Sequence, residues 1–251
     1  MSQKTAVITG AASGIGRATA MAFAKEGTTL VLIDQDEQRL KTLKAELDKE
    51  HVYCFQADIS DAKRMETVFN EIGQTVKTID IVFANAGING TVTSIEAFEP
   101  KDWEQTVQVN LTGTFLSVKY AIPLMKKQGG SIMMTSSVNG TRVFSNFGMS
   151  AYSASKAGIA AFAKMAALEL ANYGIRVNVI CPGAIHTHID ERTYRHEEAL
   201  KPITIHKNSE PFPTPPGTPE QVADTVLYLA SDGAKHISGA EIVIDGAQTL
   251  L

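Results

Sequence analysis

Seven short apolar runs punctuate the chain, and almost none of them alternates with polar residues. They are "TAVIT" at 5–9, "TLVLI" at 29–33, "VYCFQ" at 52–56, "IDIVFA" at 79–84, "SIMMTS" at 131–136, "RVNVIC" at 176–181 and "EIVID" at 241–245. Runs that are apolar throughout suit strands buried on both faces of a parallel sheet. Helical patterns lie between them, near 15–26, 36–49, 61–76, 101–128, 151–173 and 219–231. The last has a clear start: Thr218 to cap, Pro219 at the first helical position and Gln221 to close a capping box. Strand–helix alternation of this kind predicts an α/β fold, a doubly wound parallel sheet with helices on both faces and right-handed crossovers. With no internal repeat and no second composition regime, one domain over 1–251 is expected.

The pattern fails between Ala184 and Gly217, where no clear strand is visible. This stretch with Pro219 holds Pro202, Pro211, Pro213, Pro215 and Pro216, six of the nine prolines in all. So long a connection inside a compact domain reads as a lid over a site, with short helices expected around 188–200. A formal charge of −4 and the absence of a basic run argue against nucleic acid or an anionic membrane as partner. No 18-residue apolar segment exists, and the start "MSQKTAVITG" is too short in its apolar part for a signal peptide. Cys54 and Cys181 each lie in an apolar run, which suggests two buried thiols rather than a disulfide. A cytoplasmic setting is expected.

"TGAASGIG" at 9–16 puts Gly10, Gly14 and Gly16 between the first strand and the first helix. A turn of this composition lets the backbone approach a pyrophosphate, and the helix N-terminus offers it N–H groups. The spacing is G-x3-G-x-G, and by itself it also describes a plain tight turn. The second strand adds Asp34, 18 residues after Gly16. An acidic group there can accept both adenosine ribose hydroxyls and repels a 2′-phosphate. Ser13, Gln35 and Asp36 offer no positive charge beside it, so NAD rather than NADP is expected. Asp34 could equally cap the following helix.

In "SAYSASKAG" at 150–158, Tyr152 and Lys156 stand four apart, one above the other on a helix. A cation at that distance favours the phenolate, so Lys156 is expected to lower the tyrosine pKa toward the working range of a general acid or base. A Tyr–Lys pair at this spacing is also an ordinary surface contact.

Taken together with "ADI" at 57–59, "NAG" at 85–87, "VNL" at 109–111, "TSS" at 135–137 and "PGAIHT" at 182–187, these motifs resemble the short-chain dehydrogenase/reductases over essentially the whole chain. The resemblance implies a Rossmann-like seven-stranded sheet of order 3-2-1-4-5-6-7, with NAD across the carboxyl ends at the switch between strands one and four. Gly10, Ser13, Gly14, Ile15 and Gly16 would hold the pyrophosphate side, Asp34 the ribose, and Asp58 and Ile59 the adenine. Asn85, Ala86 and Gly87 would lie beside the adenine ribose, and Pro182, Gly183, Ile185 and Thr187 around the nicotinamide amide and pyrophosphate. Tyr152 would be the acid/base, Ser137 the donor to the substrate oxygen and Lys156 the partner of the nicotinamide ribose. Asn110 would help to bind a water linking Lys156 to solvent. The small residues of 154–161 imply either a homotetramer packed through this helix or close packing on the sheet; the sequence leaves both open.

Two departures stand out. The 15 positions from Ser137 to Tyr152 make a somewhat long loop, carrying Arg142, Phe144, Asn146, Phe147 and Met149; Ser136 stays open as the alternative serine, and Asn139 stands where a stricter spacing would put the hydroxyl. Ala247 occupies a position where glycine is common. His186, His188, His196 and His206 have no cluster to complete a zinc site, so no metal is expected. Lid charges are mixed, with Lys207 and Glu210 among them, and give no sign for the substrate. The expected activity is NAD(H)-dependent interconversion of a secondary alcohol and its ketone. A 3-oxoacyl or other carbonyl reductase, and a non-catalytic NAD-binding regulator, are the alternatives.

Overall fold

The computed structural model describes residues 4–47, 50–143, 146–187, 189–204 and 215–250. Phe144, His188, His206, Lys207, Glu210, Pro211 and Pro213 lie outside the described residues.

The chain winds as β1 (Thr5–Thr9), α1 (Gly14–Lys25), β2 (Thr29–Asp34), α2 (Glu37–Leu47), β3 (Val52–Gln56) and α3 (Ala62–Val76). It returns to the middle of the sheet as β4 (Ile81–Ala84), followed by the short β5 (Gly90–Val92), α4 (Pro100–Val107) and α5 (Gly113–Met125). Then come β6 (Gly130–Thr135), α6 (Val138–Thr141), α7 (Ser150–Leu170), β7 (Ile175–Pro182), β8 (Thr193–Arg195), α8 (Glu197–Leu200), α9 (Pro219–Ala230) and β9 (Glu241–Ile244). Seven strands form one parallel sheet of order β3-β2-β1-β4-β6-β7-β9. Counting only its own strands, this is the expected 3-2-1-4-5-6-7.

The period-two geometry of a strand splits each run between two cores. Val7, Val31, Ile33 and Val82 face α3, α5 and α7. Ala6, Ile8, Leu30, Leu32 and Phe83 face α1, α2 and α9. Both faces are covered, which is why the runs do not alternate. The capping box of Thr218 and Gln221 forms as expected.

The structure corrects the expectation of a strandless lid. Thr193–Arg195 pairs in parallel with Gly90–Val92 in a second, two-stranded sheet. A three-residue strand is too short for its period to show in sequence. The helix expected over 101–128 is interrupted: Gln108–Thr112 is a π-helical turn centred on Asn110. Ala247 adopts φ of +71°, a left-handed conformation that costs a Cβ-bearing residue about 1 kcal/mol. Ala247→Gly is therefore expected to stabilise the protein by up to about 1 kcal/mol, less the entropy glycine adds to the unfolded chain. Equal or lower denaturant midpoints for the variant would contradict this.

Candidate active site

The sheet order reverses between β1 and β4, and there a cleft of about 830 Å³ opens over the carboxyl ends of the strands. Its walls come from every segment the sequence singled out. Gly10, Ser13, Gly14 and Ile15 line it, as do Asp34, Asp58, Ile59, Asn85, Ala86 and Gly87. So do Ser137, Tyr152, Lys156, Pro182, Gly183, Ile185 and Thr187.

Gly16 and Asn110, by contrast, do not line the cleft. A Cβ on Gly16 would stand 2.0 Å from the Gly10 carbonyl oxygen, so this glycine lets α1 pack against the turn rather than against a ligand. Gly10 has φ of +63° and its Cβ would meet Ala86 at 2.8 Å. Helix α1 begins at Gly14 without a side-chain cap on its first N–H groups, so its N-terminal end is free to receive an anion.

Asp34 ties two turns together. One carboxylate oxygen accepts from Ala12 N at 3.0 Å and the other from Asp36 N at 3.1 Å. The cap of α2 is Asp36, whose side chain accepts from Arg39 N at 2.9 Å. Arg39 is one residue for which the sequence carried no signal. Its side chain lines the same end of the cleft and pairs with Glu191 of the lid at 3.0 Å. The Glu191 hydrogen bond and charge raise its pKa further, with Asp36 and Asp34 adding to the effect. Asp34 thus has a cation in its vicinity after all, although a committed one.

The opposite end is polar and buried. Thr9, Asn85 and Thr135 join β1, β4 and β6: Asn85 N donates to Thr9 Oγ1 at 3.1 Å, and Thr135 Oγ1 donates to Asn85 Oδ1 at 3.1 Å. Lys156 Nζ donates to the Thr135 carbonyl at 2.9 Å and sits 5.6 Å from the centre of the Tyr152 ring. Burial lowers the Lys156 pKa to about 8, with the neighbouring Cys181 acting in the opposite direction. Burial also pushes the Tyr152 phenol above its ordinary range, and a hydrogen bond with Ser137 draws it part of the way back. Burial thus acts against the lowering expected from Lys156. Desolvation is the largest influence on the phenol, and the ammonium lies over the ring.

The two serines separate clearly. Ser136 Oγ donates to the Lys156 carbonyl at 2.7 Å and serves the packing of α7 on β6. Ser137 caps α6, accepting from Asn139 N at 3.2 Å, and its hydroxyl donates to the Pro182 carbonyl at 3.5 Å. Asn139 instead braces the long loop, accepting from Asn146 Nδ2 at 2.8 Å. The side chain of Asn110 is occupied: Oδ1 accepts from Ile88 N at 2.8 Å, and Nδ2 donates to Ile88 O at 2.9 Å and Ser155 Oγ at 3.1 Å. Both amide protons are in use, so Asn110 fastens the segment after β4 to α7. Gln248 and Thr249, from the far end of the chain, also line the cleft; Ala184 N donates to Gln248 Oε1 at 3.0 Å. The sequence carried no signal for them. Among the described residues, no group of three His, Cys, Asp or Glu is placed to hold a metal.

The family model described as enoyl-(acyl carrier protein) reductase matches residues 10–249. The chain is 37% identical to the 3-oxoacyl-[acyl-carrier-protein] reductase FabG of Thermotoga maritima, over 97% of this chain and 96% of that one. It is 34% identical to the 3beta-hydroxysteroid dehydrogenase of Mediterraneibacter gnavus, over 98% and 95%. The solved 3-ketoacyl-(acyl-carrier-protein) reductase from Brucella melitensis, complexed with NADH, superposes with a TM-score of 0.86 at 27% identity, covering 99% of both chains. By matched length, fold and the ordered set of residues around the cleft, the chain belongs to the short-chain dehydrogenase/reductases, oxidoreductases that act on CH–OH groups.

Proposed function

We propose that the protein is an NAD(H)-dependent oxidoreductase that interconverts a secondary alcohol and its ketone, with Tyr152 as general acid/base. The observation that carries this reading is that Ser137, Tyr152 and Lys156 line the switch-point cleft together, with Lys156 buried beside the Tyr152 ring. The cleft suits a dinucleotide. It has an uncapped helix N-terminus for phosphates and a carboxylate at Asp34 for ribose hydroxyls. A Cβ on Gly87 would come within 3.3 Å of Lys156 Nζ, so glycine leaves room for a ribose at that ammonium. A bound cofactor would supply or accept the hydride. Ser137 would hold the substrate oxygen, and Tyr152 would give it a proton in reduction or take one in oxidation. Asp58 and Ile59 would seat the adenine, and Pro182, Gly183, Ile185 and Thr187 the nicotinamide end.

The test is a panel of secondary alcohols with NAD or NADP, and of ketones and a 3-oxoacyl thioester with NADH or NADPH, followed at the absorbance of the reduced nicotinamide. Turnover of simple alcohols with NAD, or of ketones with NADH, is expected. Turnover of the thioester alone would favour the acyl reductase reading instead, and turnover of none would favour a binding protein.

Preference for NAD rests on Asp34. Asp34→Asn keeps an acceptor for one of the two turn N–H groups while removing the charge. It is expected to raise KM for NAD about tenfold, roughly 1.4 kcal/mol, and to narrow the NAD/NADP ratio because Arg39 stands nearby. An unchanged ratio would remove Asp34 from the cofactor site.

Phe115, Met165 and Leu168 are exposed apolar residues on α5 and α7, and support a homotetramer assembled through those helices. Light scattering at the monomer mass would dismiss it. Among the described residues, no helix is long and apolar enough to cross a membrane.

A further inference from the structure

Helix α2 meets the lid at the Asp34 end of the cleft. Arg39 Nη2 donates to Glu191 Oε2 at 3.0 Å, and Arg39 Nε lies 3.4 Å from Asp36 Oδ2. Asp34, Asp36, Arg39 and Glu191 all line the cleft. The guanidinium is therefore shared between a carboxylate of its own first turn and one that arrives from 152 positions away. Glu191 is also placed by contacts other than this pair. It belongs to the short 3-10 turn Ile189–Arg192. The next residue, Thr193, opens β8 and pairs in parallel with Gly90 of β5. Thr193 Oγ1 accepts from Asn89 Nδ2 at 2.9 Å. Strand pairing to the segment after β4 thus delivers the lid carboxylate to α2.

Charge at this end bears on which dinucleotide fits. NAD offers two adenosine ribose hydroxyls, which a carboxylate such as Asp34 can accept. NADP carries a phosphate in place of one of them, adding about −1.5 to −2 charge at neutral pH. Arginine is the side chain best shaped to receive it, through paired N–H groups. Arg39 lies close enough to Asp34 for their charges to interact, so it stands where such a phosphate would arrive. To turn toward the phosphate, the guanidinium must leave Glu191.

We propose that Glu191 is a specificity-determining residue for the cofactor: by holding Arg39 from the lid, it denies that guanidinium to a 2′-phosphate and sharpens the preference for NAD over NADP. Glu191 acts through Arg39 and is a positioning residue. Nucleotide choice then depends on the lid as well as on Asp34. The inference rests on the reading of the cleft as a dinucleotide site.

The experiment measures the dissociation constants of NADH and NADPH by nicotinamide fluorescence in four proteins: wild type, Glu191→Gln, Arg39→Met and the double variant. It needs no substrate, so it is independent of the alcohol–ketone reading. The two side chains are 46% and 51% exposed, so releasing Arg39 is worth a modest factor. Glu191→Gln is expected to tighten NADPH about three- to fivefold while NADH stays within about twofold. In the Arg39→Met background the same substitution should leave the NADH/NADPH ratio unchanged, because no guanidinium is there to be released. Equal changes for both nucleotides in Glu191→Gln, the mark of a merely structural role, overturn the proposal. So does a shift in the ratio that persists in Arg39→Met, since it would then come from the Glu191 charge itself or from Arg192 beside it. Binding of NADH with an unmoved ratio removes Glu191 alone. Binding of neither nucleotide to any of the four proteins overturns the dinucleotide reading and this inference with it.

Discussion

Tyr152→Phe is expected to lower turnover in both directions by about two to four orders of magnitude, the usual range for a positioned acid/base. Cofactor binding should stay within about twofold of wild type, because the substitution removes one oxygen from a ring that is otherwise packed. Tyr152 is 8% exposed, and its hydroxyl lies in the same cleft as Ser137. The pH dependence follows from the same burial. The phenol is raised above its ordinary value and stays protonated through neutral pH, which suits ketone reduction. Oxidation needs the phenolate, so its kcat/KM should rise with pH while that of reduction falls at high pH. The cofactor's positive nicotinamide ring would oppose the burial term in the oxidising complex. Retained turnover in the phenylalanine variant, or two flat pH profiles, would remove Tyr152 from the chemistry.

Lys156→Met should damage both turnover and cofactor affinity, since the ammonium sits between Gly87, Thr135 and the Tyr152 ring. It also makes a thermodynamic prediction that is independent of activity. Burial holds the folded-state pKa at about 8 against an ordinary 10.5. Below pH 8 both folded and unfolded chains carry the proton, and the cost of the buried charge is constant. Between about 8 and 10.5 the unfolded chain binds the proton more tightly, so native stability rises with pH across that window. The full rise is about 3 kcal/mol, from 1.36 kcal/mol per pKa unit. The difference in unfolding free energy, wild type minus Lys156→Met, should therefore grow from pH 7.5 to 10.5. The absolute value at neutral pH is less telling. There the relief of a buried charge is offset by the Thr135 carbonyl left without its donor. A pH-independent difference would mean that Lys156 is not desolvated as the structure has it.

Much of this was legible in the chain itself. Strands such as "TAVIT" and "TLVLI" are apolar throughout because helices cover both sheet faces, so the pattern specified a parallel sheet before any topology was known. Gly10 and Gly16 are legible for the same local reason: one needs a positive φ and the other leaves no room for a Cβ. Tyr152 and Lys156 share a helix face by spacing alone. Residues whose roles depend on contacts across the chain were not legible. Arg39 enters the cleft because α2 turns back over β2 and meets Glu191 from the lid, more than 150 positions away. Gln248 and Thr249 arrive from the C-terminal segment.

The sequence by itself determined the layers, because these follow from local period, and its ordered motifs, through the family resemblance they carry, pointed to the strand ends and to most of the polar residues there. Tertiary structure alone decided that the Ser136 hydroxyl is spent on the Lys156 carbonyl, where the Asn110 amide is spent, and that burial pushes the tyrosine's pKa up. Desolvation and enclosure are properties of what surrounds a group in space, and the surroundings come from segments that no local pattern relates.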